Sequence, residues 1–277
     1  MARSSVTHVQ VKKVTASGIA DTDDMLATEE PMEIRLEYKT AGKRIVKSIS
    51  VTMRTPGHDI ELATGFLYTE GIISSNDDIS SVGHASEEND NVVQVVLNDS
   101  IQPDISRLER NFYTTSSCGV CGKASIEGVF AACNILDTKD ELRFSSAILQ
   151  QLPDTLRKHQ DVFEYTGGLH GCALFDTNGA LILSREDVGR HNALDKLIGA
   201  ALKSNMLPLY NQLLLLSGRA SFELIQKAAM AGIKVVAAVG APSSLAVQMA
   251  EEWGITLMGF LRGERFNIYS GAERIVI

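Results

Sequence analysis

Long apolar runs are missing from this 277-residue sequence. The longest, such as Leu213–Leu216 and Val235–Val239, have the length of buried strands, far short of the ~20 apolar residues of a membrane span. Met1 to Ala27 contains Asp and has no apolar run suited to a signal peptide. A cytoplasmic protein without membrane attachment is therefore expected. Cysteine is scarce as well. Four residues, Cys118, Cys121, Cys133 and Cys172, are too few for a disulfide scaffold of this size. Basic charge is in deficit: 26 Lys and Arg against 34 Asp and Glu leave a formal net charge of -8. That argues against a surface that coats nucleic acid, although it permits a local basic pocket. What is present is ordinary for a soluble globular protein, with 44% apolar and 22% charged residues. At ~150 residues per domain the length suggests two domains.

The first third reads as β-rich. Ile34, Leu36 and Tyr38 alternate with charged residues. Ile45, Ile49, Val51 and Met53 share one parity, broken by Lys47, and Ala41-Gly42-Lys43 between the two runs predicts a hairpin. Pro56-Gly57-His58-Asp59 breaks the strand; Asp59 is placed to cap a helix through Tyr68, which Gly71 ends. Asn91 to Leu97 and Arg110 to Thr114 read as further strands. A polar stretch with Pro103 places a boundary near Gln102, dividing a β-rich region, 1–102, from an α/β domain, 103–277.

The latter half changes period. Ser145 to Lys158 reads as a helix that Pro153 interrupts. Cys172–Phe175 and Ala180–Leu183 flank Thr177-Asn178-Gly179, a hairpin signal. Buried-type strands at Gln212–Leu216, Lys234–Val239 and Thr256–Phe260 then alternate with helices near Asn192–Lys203, Ser221–Ala231 and Ser243–Trp253. That alternation predicts a largely parallel sheet covered on both faces. There is no internal repeat and no low-complexity segment.

The chemistry concentrates in Thr114-Thr115-Ser116-Ser117-Cys118-Gly119-Val120-Cys121-Gly122-Lys123. Gly119 and Gly122 relax the backbone, and Lys123 can favour a thiolate, the form that attacks sulfur. Three chemistries fit the spacing. Half of a zinc site is one, but no second Cys-x-x-Cys exists and only His170 and His191 remain as ligands. Thiol–disulfide exchange is the second. Sulfur carriage as a persulfide is the third. The motif alone does not separate the last two. Cys133, among Phe130, Ala131 and Ala132, and Cys172, in a strand, read as packed residues.

In an open parallel sheet, ligands bind beyond the carboxyl ends of the strands. Four segments converge there: Arg185 to Asn192, Ser217-Gly218-Arg219-Ala220-Ser221, Gly240-Ala241-Pro242-Ser243-Ser244, and Phe260-Leu261-Arg262-Gly263-Glu264-Arg265. Two of them open helices, whose first N–H groups suit an anion. Arg190, Arg219, Arg262 and Arg265 can make forked contacts to phosphate, unless Glu186, Asp187 and Glu264 pair with them. A phosphorylated ligand is expected, with Asp187 or Asp195 available for a base or ribose. His191 is a candidate contact, whereas His170 reads as a structural histidine. No segment matches a phosphate-loop or dinucleotide-fold signature.

These residues carry a family resemblance. The cysteine run resembles the signature of the FdhD family, the formate dehydrogenase accessory sulfurtransferases. Glu186 to Lys196, Ser217-Gly218-Arg219, Ala241-Pro242-Ser243-Ser244-Leu245-Ala246 and Gly259-Phe260-Leu261-Arg262 are similar to further family blocks, in the same order. The resemblance implies a sulfur carrier. It would take sulfur from a cysteine desulfurase as a persulfide on Cys118, with Cys121 assisting. It would pass the sulfur to the molybdenum cofactor, a bis-molybdopterin guanine dinucleotide, before insertion into formate dehydrogenase. Phe260, Leu261, Arg262, Gly263, Glu264 and Arg265 would contact that cofactor, together with Arg190, His191, Ser217, Gly218 and Arg219. No resident cofactor or metal is implied. A non-catalytic cofactor-binding chaperone is the alternative. The resemblance also implies a three-layer α/β domain similar to the cytidine deaminase fold. Deaminase chemistry itself is disfavoured: it needs His-x-Glu followed by Pro-Cys-x-x-Cys, whereas His170 is followed by Gly171 and Cys172, and the cysteine pair precedes it. A symmetric dimer is expected, since two-fold dimers are the commonest homo-oligomers.

Overall fold

The computed structural model describes residues 4–86, 89–105 and 140–277. The cysteine run, Cys133 and the expected strand at Arg110–Thr114 lie outside them. Two sheets of the described chain hold most of its core. The N-terminal sheet has four strands in the order β4-β3-β6-β5: β3 (Glu30–Thr40), β4 (Lys43–Arg54), β5 (Ile79–Ser86) and β6 (Asn89–Leu97). The predicted hairpin is β3–β4, turning at Ala41 and Gly42, both at positive φ. The single parity expected for β4 does not hold. Ile34 faces Ser50 while Arg35 faces Ser48, so Ile49 is the extra residue of a bulge. A bulge reverses which face the following side chains take. Ile49 is therefore buried at 4% exposure, while Val51 and Met53 face solvent at 65% and 47%.

Ahead of this sheet, β1 (Val6–Thr15) and β2 (Gly18–Ala27) form a separate antiparallel hairpin that the sequence reading did not anticipate. Its signal was the β-branched alternation of Val6 to Thr15 followed by the turn residues Ser17 and Gly18, the latter at positive φ. The first helix spans Asp59–Thr69, but Asp59 does not cap it. The cap position is His58, in the left-handed region at φ 58°. Asp59 instead receives Arg54 Nε at 3.0 Å and Nη2 at 2.9 Å.

The second sheet has six strands in the order β13-β12-β11-β10-β8-β9: β8 (His170–Phe175), β9 (Leu181–Asp187), β10 (Leu213–Leu216), β11 (Val235–Ala238), β12 (Thr256–Arg262) and β13 (Arg265–Ser270). Only β10, β11 and β12 run parallel; β8, β9 and β13 are antiparallel to their neighbours. The sheet is thus mixed, because the tight turns after Asp176 and at Gly263 make hairpins, and hairpins return antiparallel. The predicted helix at Ser145–Lys158 is two short helices, Ser146–Leu149 and Leu152–Arg157. Pro153 sits in the first turn of the second, where its missing N–H costs nothing.

Both faces of this sheet are covered. Cys172, Leu174, Leu214, Leu216, Val236, Ala238 and Leu257 pack under the helices Arg190–Lys203, Phe222–Met230 and Ser244–Glu252. Ala173, Phe175, Leu213, Leu215, Val235, Ala237 and Met258 pack under Leu149, Leu152 and Leu156. The period-2 alternation of buried residues is what lets continuous apolar strands serve two layers. A small parallel pair, β7 (Phe144–Ser145) with β14 (Ile275–Val276), closes the second layer.

The two sheets meet at a glycine crossing. A Cβ on Gly65 would lie 1.8 Å from the Asp195 carbonyl oxygen, and one on Gly199 would lie 1.9 Å from that of Glu61. The helices Asp59–Thr69 and Arg190–Lys203 therefore touch backbone to backbone. Around the crossing, Lys227 Nζ reaches Asp195 Oδ1 at 2.9 Å and Thr69 Oγ1 at 2.8 Å. Arg185 makes a two-pronged contact to Glu61, at 2.6 and 2.9 Å. Burial alone would raise the Glu61 carboxyl, but hydrogen bonds from His58 and Arg185 bring it down to about 2.

Candidate functional site

The carboxyl ends of β10, β11 and β12 are laced together by their own backbones. Val239 N–H donates to Leu216 O, Gly240 N–H to Gly218 O at 2.9 Å, and Phe260 N–H to Gly240 O at 3.0 Å. This lacing requires glycine. A Cβ on Gly240 would sit 2.9 Å from Gly218 O, and one on Gly259 would sit 2.7 Å from Pro242 Cδ. On the other side, Ser217 and Gly171 bond reciprocally: Ser217 N–H donates to Gly171 O at 2.9 Å, and Gly171 N–H to Ser217 Oγ at 2.8 Å. Ser217 thus extends the β8–β10 pairing, which fixes the start of the Gly218-Arg219 turn.

Arg190 and His191 open the long helix after β9, with Gly189 as the cap residue. Arg219 follows β10 and is exposed. The electrostatic neighbourhood of His170 includes Arg190, His191, Asp187 and Arg219, so these groups share one end of the sheet. Burial and the nearby Arg190, His191 and Arg219 charges hold the His170 imidazole below its ordinary value. Phe260, at φ 55°, is a bulky residue in the left-handed region, next to the β12–β13 register shift at Gly259–Arg262. Its ring lies under the Arg262 guanidinium, 5.8 Å from Cζ to centroid. Arg262 and Arg265 face each other across the turn at Gly263 and Glu264, and all four residues are exposed.

Two of the carboxylates named as competitors for these arginines, Glu186 and Asp187, are engaged elsewhere, and the exposed Glu264 makes no ion pair among the described residues. Among the described residues, Arg190, Arg219, Arg262 and Arg265 make no ion pair, and neither does Arg143, which donates to backbone carbonyls, whereas Arg35, Arg44, Arg54, Arg157, Arg185 and Arg274 each pair with Asp or Glu. Asp187 is fully buried and taken by Lys196 Nζ at 2.7 Å, by Thr55 N–H at 3.1 Å and by Gly189 N–H at 2.8 Å. Glu186 accepts from Val162 N–H and Phe163 N–H at 3.1 and 3.2 Å. Asp187 and Asp195 are therefore structural anchors, and the expectation that they hold a base or ribose is corrected.

Two other expectations change. The helix starts at Phe222 and Ser244 are partly satisfied within the protein. Glu223 accepts from its own backbone and from Ser221, and the hydrogen bond from His191 does most to bring its carboxyl down to about 2. Ser243 Oγ accepts from Ala246 N–H at 3.2 Å. Leu261, expected at the ligand, is fully buried in the second core layer, so its side chain faces the protein. Cys172 is packed as expected, and burial pushes its thiol far above the usual range. Among the described residues, no three His, Cys, Asp or Glu side chains are arranged to hold a metal ion, and no helix is long and apolar enough to cross a membrane.

A mixed α/β sheet covered on both faces, with arginines on the loops beyond its strand ends, defines the class: a layered α/β protein. The chain belongs to the FdhD/NarQ family, whose model matches residues 27–276. It is 49% identical over 280 residues to a protein of Mycolicibacterium paratuberculosis named sulfur carrier protein FdhD, covering 99% of this chain and 98% of that one. A protein of the same name from Sulfurisphaera tokodaii is 45% identical over 271 residues, covering 98% and 99%. The fold matches a crystal structure described as a formate dehydrogenase accessory protein from Desulfotalea psychrophila. Its TM-score is 0.76 at 24% identity, with 99% of this chain and all of that one covered.

Proposed function

We propose that this protein is a sulfur carrier that takes sulfur from a cysteine desulfurase as a persulfide on Cys118 and passes it to a molybdenum cofactor destined for formate dehydrogenase. The relatives' shared name, sulfur carrier protein, supports the carrier role. The name of the structural neighbour points to formate dehydrogenase as the client. In the loading step the Cys118 thiolate attacks the terminal sulfur of the desulfurase persulfide. A new S–S bond forms, the old one breaks, and the desulfurase cysteine leaves as a thiolate, with no net redox change. Cys121 is assigned as the assisting thiol. We further assign the strand ends to the cargo, a bis-molybdopterin guanine dinucleotide. Arg190, Arg219, Arg262 and Arg265 would take its phosphates, with His191, Gly218 and Phe260 beside them. Their place on the loops at the strand ends, without an ion pair among the described residues, is the observation that carries the assignment, because a forked guanidinium matches phosphate. Through its family the larger domain is also related to the cytidine deaminase fold. A homodimer and a cytoplasmic location complete the reading.

The test is intact mass measurement after incubation with a cysteine desulfurase and cysteine, comparing wild type, Cys118→Ser and Cys121→Ser under non-reducing conditions. A reducible gain of one sulfur atom, absent only from Cys118→Ser, is expected. No gain in any form, with the desulfurase shown active in the same tube, would leave a non-catalytic cofactor chaperone as the better reading.

A further inference from the structure

One polar group at the strand ends has no part in the sulfur-carrier reading: the imidazole of His170. It opens β8 and pairs in register with Asp187 of β9. Its ring rests on the backbone of Gly218, where a Cβ would lie 3.2 Å from Nδ1 and 3.5 Å from Cε1. Gly218 is therefore the floor that admits the ring. The residue is half-buried, and among the described residues neither ring nitrogen has a hydrogen-bond partner. The nitrogens are not sealed in the core, so among the described residues the ring is free to bond solvent or a ligand at the strand ends.

The charged groups that face the ring come from three elements. Arg190 and His191 come from the start of the helix Arg190–Lys203, Arg219 from the turn after β10, and Asp187 from β9. Asp187 is already matched by Lys196 at 2.7 Å, and His191 lies against Glu223 at 3.7 Å. The unmatched charges beside His170 are thus the two guanidinium groups.

We infer that His170 is a further ligand-contacting residue of the strand-end site, and that it takes up a proton and donates a hydrogen bond to a phosphate or sulfate group held by Arg190 and Arg219. The inference rests on the reading of the strand ends as an anion site. Without ligand, burial and the adjacent cations disfavour the charged imidazole. A doubly negative group between the two arginines reverses the local potential, so the ring becomes easier to protonate once the ligand is bound. By linkage, affinity is then highest at low pH. It falls as pH rises through the ligand-bound pKa of His170, by up to about tenfold per pH unit.

Histidine ring C–H signals followed by NMR across pH, with and without saturating inorganic sulfate, test this in the full-length protein. Sulfate keeps the same charge across the range used, so a moving titration belongs to the protein. His170→Gln assigns the resonance. The expected result is an upward shift of the His170 midpoint by about one pH unit with sulfate, and a sulfate affinity in H170Q that no longer varies with pH. If sulfate binds but the His170 midpoint stays put, the inference fails while the anion site stands. If sulfate perturbs no histidine signal, and calorimetry finds no sulfate binding that Arg190→Ala or Arg219→Ala weakens, the anion-site reading fails and takes the inference with it.

Discussion

Replacing Gly199 by alanine tests the glycine crossing that joins the two sheets. The new Cβ would lie 1.9 Å from the Glu61 carbonyl oxygen, 2.7 Å from its carbon and 2.9 Å from its Cα. All three are backbone atoms of a helix, so no side chain can swing aside and the helices must separate. Overpacking of this kind costs typically about 1–3 kcal/mol, and a backbone neighbour places it at the upper end. The substitution also gains about 1 kcal/mol of helix propensity. The net loss is therefore about 2 kcal/mol, which for a chain of this size lowers Tm by about 4–8 °C. Separation would also loosen the Arg185–Glu61 and Lys227–Asp195 contacts beside the crossing. Gly65→Ala meets the Asp195 carbonyl oxygen at 1.8 Å and should behave alike. Because either variant opens the gap that the other needs, the double variant should lose less than the sum of the two. Thermal and urea denaturation followed by circular dichroism measure all three. A Gly199→Ala protein as stable as wild type, or more so, would refute the backbone-contact geometry. Strict additivity would refute the shared gap.

The remaining predictions concern charge and reactivity. Arg190→Ala and Arg219→Ala should weaken pyrophosphate binding by calorimetry while changing unfolding stability by less than about 0.5 kcal/mol, since neither arginine has a carboxylate partner among the described residues; a large stability loss would show that they are structural. Asp140→Asn should destabilise by about 3 kcal/mol, because it leaves the fully buried Arg274 without its carboxylate at 3.1 Å. Burial alone would raise the Asp140 carboxyl, but Arg274 and Lys234 bring it down to about 2. Its contribution is therefore present above the unfolded aspartate value of about 3.9 and is lost as pH falls through about 2; an acid-unfolding curve unchanged in Asp140→Asn would contradict this. Cys172, buried at 1% exposure, should resist iodoacetamide in the native protein and react only after denaturation. Peptide mass mapping that finds it alkylated natively would overturn its core placement.

How much could be read ahead follows from the kind of signal each feature leaves. The buried strands at 213–216 and 235–238 and the helices between them show in the sequence because their apolar periods are local. The four arginines stood out for a related reason: each follows a strand or opens a helix, and strand ends are where α/β sheets take ligands. Whether they were free depended on partners far away in the chain. Asp187 is consumed by Lys196 and Thr55, and Glu186 by the helix at Asp161–Thr166. Those pairings exist only after folding, so sequence alone could not take the two carboxylates out of contention. His170 read as structural for the same reason, since its contact with Gly218 spans two strands. The β4 bulge, which turned Val51 and Met53 outward, is set by cross-strand register, and a one-residue shift leaves no mark in composition. The sequence by itself determined the element types, the cysteine motif and the family. Only the tertiary structure decided which charges pair with one another among the described residues, because that depends on distances between residues the chain order keeps apart.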